Sequence, residues 1–307
     1  MIEGVDVSYY QGQIDWAKVA KAGKRFAIIR SGDGKFLDPM FETYIKGALD
    51  AGLEVAGIYH YLRFAVDPES QADICARRLQ TAASLGVLCS HYAKHFLWLD
   101  WEDTSAQAKA MTVQQRQWWA SEFLDSLEKN NDVSTYGHYT GMWWFNPYLG
   151  HPDIILPYLA RQFFSHPLWI GQYPYGAQSD PTAAGWKPTL PGGWPDWAVW
   201  QYTSSGRVDG IEGNVDLDIA REGFLDLKEG DMTQDWHARR WPSGLLRQVA
   251  GHAEAAAGLV DHAWSGTEYA ELEHEVRAAA EKLDKARQIL RDNGLGPETG
   301  DWKVDTF

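Results

Sequence analysis

The sequence predicts an α/β protein: a modified TIM-like barrel of about five β/α units followed by three strands, with a C-terminal α-helical hairpin module. Three observations lead there. Short apolar runs alternate with amphipathic helical segments through the first 139 residues. The run at residues 96–100, Phe-Leu-Trp-Leu-Asp, is apolar on both faces, as suits a strand buried in a parallel sheet, and it ends abruptly in acids. Beyond Glu229 the pattern changes to apolar residues at alternating four- and three-residue steps.

Residues 2–7 read as a short buried strand, followed by a turn at Tyr9-Tyr10-Gln11-Gly12 and a short helix capped by Asp15. Residues 25–30 form the second strand, which ends in the turn Ser31-Gly32-Asp33-Gly34. Asp38-Pro39 opens a helix in which Phe41, Tyr44, Ile45, Ala48 and Leu49 recur at helical spacing, and Gly52 closes it. Residues 54–62 are the third strand, 68–85 a helix stopped near Gly86, and 96–100 the fourth strand. A helix at 112–130 carries Trp118, Trp119, Phe123 and Leu127 on its apolar side, and residues 133–139 form the fifth strand. After it the helices largely give way to loops and strands in an aromatic, proline-rich region, where 168–173, 197–202 and 214–218 are the last three strands. Eight strands in roughly 220 residues fit a closed barrel with its last helices eroded. The rival, an open doubly wound sheet, lacks a Gly-rich phosphate fingerprint after its first strand.

Residues 1–228 are therefore assigned to the barrel. Residues 229–240 are polar and acidic, as a linker should be, and 241–295 form the hairpin. Its seams run through Leu246, Val249, Ala253, Ala256, Val260 and Ala263, and then through Leu272, Val276, Ala279, Leu283, Ala286 and Leu290. Ser265-x-x-Glu268 resembles a capping box and Asn293-Gly294 a C-terminal stop. Two helices cannot bury a large core alone, so they are expected to pack on the barrel, on a second copy as a homo-oligomer, or on a target. Residues 296–307 read as a loosely ordered tail.

The net charge of −14 argues against nucleic acid as a partner, which needs a basic face, and against electrostatic capture of an anionic membrane. No apolar run reaches the 18 residues of a transmembrane helix, so no membrane insertion is expected. Met1-Ile2-Glu3-Gly4 leads straight into the first strand, without the pattern of a signal peptide. Cys75 and Cys89 are too far apart along the chain for easy bridging and are read as free thiols. The chain is aromatic-rich, with 16 Trp and 14 Tyr; core packing accounts for some of these, and flat aromatic platforms also hold sugar rings or bases.

Asp6, Asp100, Glu102 and Asp216 fall at the predicted C-terminal ends of strands. In a parallel barrel all such ends open on one face, so acids distant in sequence meet in one pocket. Crowded carboxyls raise one another's pKa, which keeps one protonated at neutral pH as a general acid. That is equipment for cleaving a glycosidic bond. No G-x-S-x-G elbow supports serine catalysis, and no H-E-x-x-H supports a zinc site; no metal and no cofactor is called for. His60 is read as a packed, hydrogen-bonded histidine rather than a ligand, and Asp103 as a solvated loop acid.

Gly4-Val5-Asp6-Val7-Ser8, Gln11-Gly12 and Ile14-Asp15-Trp16 resemble the opening of the glycoside hydrolase family 25 (Chalaropsis-type) lysozymes. Asp38-Pro39-x-Phe41, Ala51-Gly52-Leu53, Tyr59-His60-Tyr61, Leu99-Asp100-Trp101-Glu102, Trp169-Ile170-x-x-Tyr173, Trp200-Gln201-Tyr202 and Gly213-Asn214-Val215-Asp216 follow in that family's order. The resemblance covers roughly residues 1–225 and implies a shortened α/β barrel. It also implies an N-acetylmuramidase that hydrolyses the β-1,4 bond between N-acetylmuramic acid and N-acetylglucosamine in bacterial peptidoglycan, with retention. By position Glu102 matches the proton donor, Asp100 the assisting acid, and Asp6 and Asp216 the two remaining pocket acids, with Asp218 a lesser candidate for the last role. Tyr59, Tyr61, Tyr136, Trp169, Tyr173 and Trp200 are candidates to line the groove; core packing is the equal alternative for each. The sequence departs from the pattern at Arg30-Ser31-Gly32-Asp33-Gly34, where a lysine- and glutamate-bearing turn is more usual, so Asp33 receives no role. A barrel, a linker and a second module without a signal peptide suggest a bacteriophage endolysin made in the host cytoplasm and released to the wall, with a secreted bacterial autolysin as the alternative. A non-catalytic carbohydrate-binding barrel fused to a helical assembly module is the rival function.

Overall fold

The computed structural model describes residues 1–87, 96–131, 133, 136–151, 154–174, 179–221 and 224. All of them fall in the first of the chain's two units, Met1–Met232. The expected linker, helical hairpin and tail, and Cys89, lie outside the described residues.

Among the described residues nine strands form one sheet: β1 (Ile2–Val7), β2 (Phe26–Asp33), β3 (Phe36–Leu37), β4 (Glu54–Tyr61), β5 (Leu97–Asp100), β6 (Tyr136–Thr140), β7 (Leu168–Gly171), β8 (Val199–Gly206) and β9 (Val215–Ala220). β1, β2 and β4 to β8 pair in parallel, in that order. β9 runs antiparallel between β8 and β1 and closes the ring. The barrel thus has eight strands, and β3 is a hairpin arm on β2. The second strand therefore does not stop at Arg30. It continues through the expected turn to Asp33, because Gly32 and Asp33 find ladder partners in Leu37 and Phe36.

The outer layer is built from α1 (Trp16–Lys21), α2 (Phe41–Asp50), α3 (Pro68–Ser84), α4 (Ala106–Ala110), α5 (Val113–Asp125), α6 (Met142–Leu149) and α7 (Pro157–Phe164). Local chemistry sets the starts. The Asp15 side chain accepts from Lys18 N at α1, and Thr112 and Gln115 form a capping box at α5. The expectation that helices give way after the fifth strand holds only beyond β7. α6 and α7 both lie between β6 and β7, and Pro147 sits inside α6 rather than in a loop. Trp119 and Phe123 are buried on α5 as expected, whereas Trp118 is exposed.

Strand alternation sorts the aromatics into two cores. Inside the barrel, Phe26, Ile28, Phe96, Trp98, Tyr139 and Trp169 pack together. Gly4 and Gly137 give them room: a Cβ at Gly4 would lie 2.4 Å from the Phe26 ring, and one at Gly137 2.6 Å from that of Trp98. Outside, Trp101 packs against Trp119, Phe123 and Phe163. Its Nε1 donates to His138 Nδ1 (2.9 Å), so His138 carries its proton on Nε2 and donates to Gln162 O (3.1 Å).

His60 is buried and bonded to Gly34 O through Nε2 (3.1 Å), with Ser31 Oγ 3.1 Å from Nδ1. Burial lowers its pKa to about 4. In the unfolded chain it titrates near ~6.5. Between those values the unfolded state binds more protons, so stability present above about pH 6.5 is lost as pH falls toward 4, on the order of 3 kcal/mol. Urea unfolding at stepped pH isolates this term as the difference between wild type and H60Q: relative to H60Q, the wild type should lose on the order of 3 kcal/mol between about pH 6.5 and 4, and a difference that does not change with pH would remove His60 as its source.

Candidate active site

Strand geometry brings the acids together. Asp6 sits next to last on β1 and faces inward; Asp100 is the last residue of β5; Glu102 follows in the loop. Asp216 is at the start of β9, not at a C-terminal end as the sequence suggested. It still reaches the same mouth because β9 is antiparallel, and the register sets it directly opposite Asp6.

Burial is the first cause of every shift in this pocket. It raises Glu102 to about 7, with Asp216 and Asp33 adding to it and Arg63 opposing. Burial raises Asp216 to about 6. Asp100 stands well above the usual carboxylate range, raised by burial, Glu102 and Asp33 and lowered by Arg30 and Arg63. Its Oδ1 has no hydrogen-bond partner among the described residues. Asp6 is raised by burial, Asp216 and Asp218, while Gln201 Nε2 donates to its Oδ2 at 2.7 Å. The site is therefore a set of carboxyls that hold protons into the neutral range, which general acid chemistry requires. A separate open depression of about 470 Å³, lined in part by Gln13, Lys18, Gly210 and Glu212, contains none of these four acids. Among the described residues no group of three or more His, Cys, Asp or Glu is placed to hold a metal ion.

The model of Glycosyl hydrolases family 25 matches residues 5–211. The chain belongs to this family. It is 27% identical over 222 residues to Lysozyme M1 of Streptomyces globisporus, covering 70% of this chain and 66% of that protein. It is 29% identical over 226 residues to the autolytic lysozyme of Clostridium acetobutylicum, covering 73% of this chain and 57% of that protein. The chain thus spans less than two thirds of each relative's length. A solved bacterial lysozyme from Streptomyces coelicolor superposes with a TM-score of 0.55 at 26% identity, over 74% of this chain and 96% of that one.

Around the four acids of this family 25 chain, the aromatic candidates separate. Tyr59 lies among them: burial raises its hydroxyl, and Asp6, Asp216 and Asp100 all act on it. Tyr61 donates to Glu102 O (3.0 Å) under the Arg63 guanidinium, 4.1 Å from its ring centroid. Tyr173 is half exposed and donates to Gln201 Oε1 (2.5 Å). The other three lie away from an open groove. Trp169 is 1% exposed; it forms the floor, with Nε1 donating to Asp218 Oδ1 (2.8 Å). Trp200 alternates with inward-facing Gln201, so it lies behind the sheet against Trp197 and donates to Gln172 O (2.7 Å). Tyr136 begins β6 on the face opposite Tyr139; it bonds Glu128 and stacks on His166. Tyr173→Ala should therefore weaken glycan binding with little change in stability. Trp200→Phe should cost about 1–3 kcal/mol in urea unfolding, by leaving a void and an unpaired carbonyl. The reverse pattern would exchange their roles.

Several residues at the site escaped the sequence reading. Gln201 links three elements: its Oε1 accepts from Tyr139 (2.8 Å) and Tyr173, and its Nε2 holds Asp6. Asp33, given no role, binds Arg63 through both oxygens (2.5 and 2.7 Å). Asp103 is 1% exposed rather than solvated; it accepts from Arg63 Nη1, Phe64 N, Ser105 N and Ser105 Oγ. Strand parity is the one signal that would have picked Tyr139 over Tyr136.

Proposed function

We propose that this family 25 protein is a retaining N-acetylmuramidase, cleaving the β-1,4 bond between N-acetylmuramic acid and N-acetylglucosamine in bacterial peptidoglycan. The observation that carries the reading is Glu102, held protonated to about pH 7 beside Asp100 at the mouth of the barrel. Glycosidic cleavage needs a proton on the leaving oxygen and an answer to the positive charge that grows on the sugar. Glu102 supplies the proton. Asp100 holds the substrate's acetamido group: its Oδ1 lacks a donor among the described residues, and the acetamido N–H provides one, which favours the ionised form. Asp6 and Asp216 complete the acidic pocket, and Tyr59, Tyr61 and Tyr173 contact the glycan. The lysozyme names of the relatives point to the same substrate. In this reading residues 1–228 are the catalytic domain, 229–240 a linker and 241–295 a helical module for wall targeting or self-association. The biological setting is wall lysis, as a phage endolysin or an autolysin.

Digestion of purified peptidoglycan tests it. New reducing ends should be muramic acid, converted to muramitol by borohydride, and proton NMR should find the β-anomer first. Glucosamine ends, an α-anomer first, or no new ends would overturn the assignment.

A further inference from the structure

Asp218 is fully buried, one layer below the mouth, where β9 registers it with Gly4 on one side and Gln201 on the other. Its Oδ1 is taken by the Trp169 indole. Its Oδ2 has no N–H or O–H donor among the described residues, and the Asp6 carboxyl is its diagonal neighbour on the same face of the β1–β9 ladder, each carboxyl acting on the other. Two ionised carboxylates are acceptors only, so this contact is a bond only if a proton sits between them. We infer that Asp218 is a positioning residue: it shares one proton with Asp6, and the resulting O–H···O bond holds the Asp6 carboxyl in the pocket opposite Asp216.

With that bond, Asp6 is fixed from below by the shared proton and from the side by Gln201 Nε2. Gln201 is fixed in turn by Tyr139 and Tyr173. The groups that face the pair are Asp216 of β9, Tyr59 of β4, Tyr139 of β6, Trp169 of β7 and Tyr173 after β7, and the Asp218 charge also acts on Tyr202 of β8. Lys24 is a cation that acts on Asp218, and it is already bonded to Glu3 (2.6 Å). Burial keeps the first proton on: Asp218 is raised to about 8 and Asp6 well above its ordinary value. Such a pair titrates as a unit. Loss of its proton leaves two buried charges facing each other, and Asp6 is displaced.

The kinetic consequence rests on the muramidase reading. Activity then needs a proton on Glu102 and another on the pair. Log kcat/KM of the wild type should fall with a limiting slope of about 2 above about pH 8, from two required protons. In D218N the amide keeps an acceptor for Trp169 and donates permanently to Asp6, so the slope should drop to about 1. At pH 6, D218N should be at least about tenfold more active than D218A, rescue by a fixed donor being the mark of the shared proton. Equal slopes in D218N and wild type, or equal activity in D218N and D218A when both are folded by circular dichroism, would overturn the inference. A second measurement needs neither activity nor D218A. Carbon-13 NMR of the full chain should show the Asp6 and Asp218 carboxyls shifting together over one pH range, and D218N should leave a simple transition at Asp6. Independent titration of the two carboxyls would overturn the pairing. If the wild type releases no muramic ends, the muramidase reading fails while the NMR result still decides the pair.

Discussion

Glu102→Gln is expected to lower peptidoglycan hydrolysis by about 10²–10⁴-fold with an unchanged circular dichroism spectrum. The amide matches the carboxyl in size and retains the backbone carbonyl that accepts from Tyr61. What it lacks is the transferable proton. The same change should raise stability. Glu102 titrates near 7 in the folded chain, against ~4.3 when unfolded. Between those values the folded state binds more protons, so the wild type loses stability as pH rises through that window, and the glutamine is spared the loss. The gain at pH 8 should be on the order of 3 kcal/mol. An inactive variant that is also less stable would mean that Glu102 serves the fold. A variant with wild-type activity would end its assignment as the proton donor.

The largest effect on stability is expected at Asp38→Ala. Asp38 Oδ2 accepts from Arg30 Nε (2.8 Å) and Tyr9 N (3.0 Å), and Oδ1 accepts from Met40 N (2.9 Å). Both members of the ion pair are buried, with side chains 1% and 8% exposed. Removing the carboxylate leaves the Arg30 guanidinium buried without its counter-charge, beneath the rings of Tyr9 and Tyr10. The cost should be about 3–5 kcal/mol, or roughly 6–20 °C in Tm for a barrel of this size. The double variant R30M/D38L should recover part of that loss, because a buried pair replaced by apolar groups leaves no orphan charge. A cost below about 1 kcal/mol for D38A would show that water reaches Arg30 after all.

Short apolar runs alternating with amphipathic helical segments made most of the barrel legible. The eight barrel strands all fall where the sequence reading put them, because burial on both faces writes a continuous apolar run. The pairing of β2 with β3 was not legible, since Phe36 and Leu37 are both exposed and too short a stretch to show a period. The helices α6 and α7 were hidden by tryptophans, phenylalanines and prolines that read as loop. Ring chemistry likewise drew Trp169 and Trp200 toward the groove, when their burial makes one a floor and the other part of the outer core.

By itself the sequence determined the order of the eight barrel strands, the acids Asp100 and Glu102 at the end of an apolar strand, and the resemblance to the family to which the chain belongs. Those are local features: a run, a spacing, a motif. Only the tertiary structure decided what each acid faces. Asp216 meets Asp6 because β9 runs antiparallel, Asp218 lies a layer deeper because register sets it against Gly4, and Asp103 is buried because Arg63 and the backbone of Phe64 reach it. A carboxyl's proton affinity depends on the charges and the water around it. Neighbours from eight strands set both, and no stretch of one strand contains them.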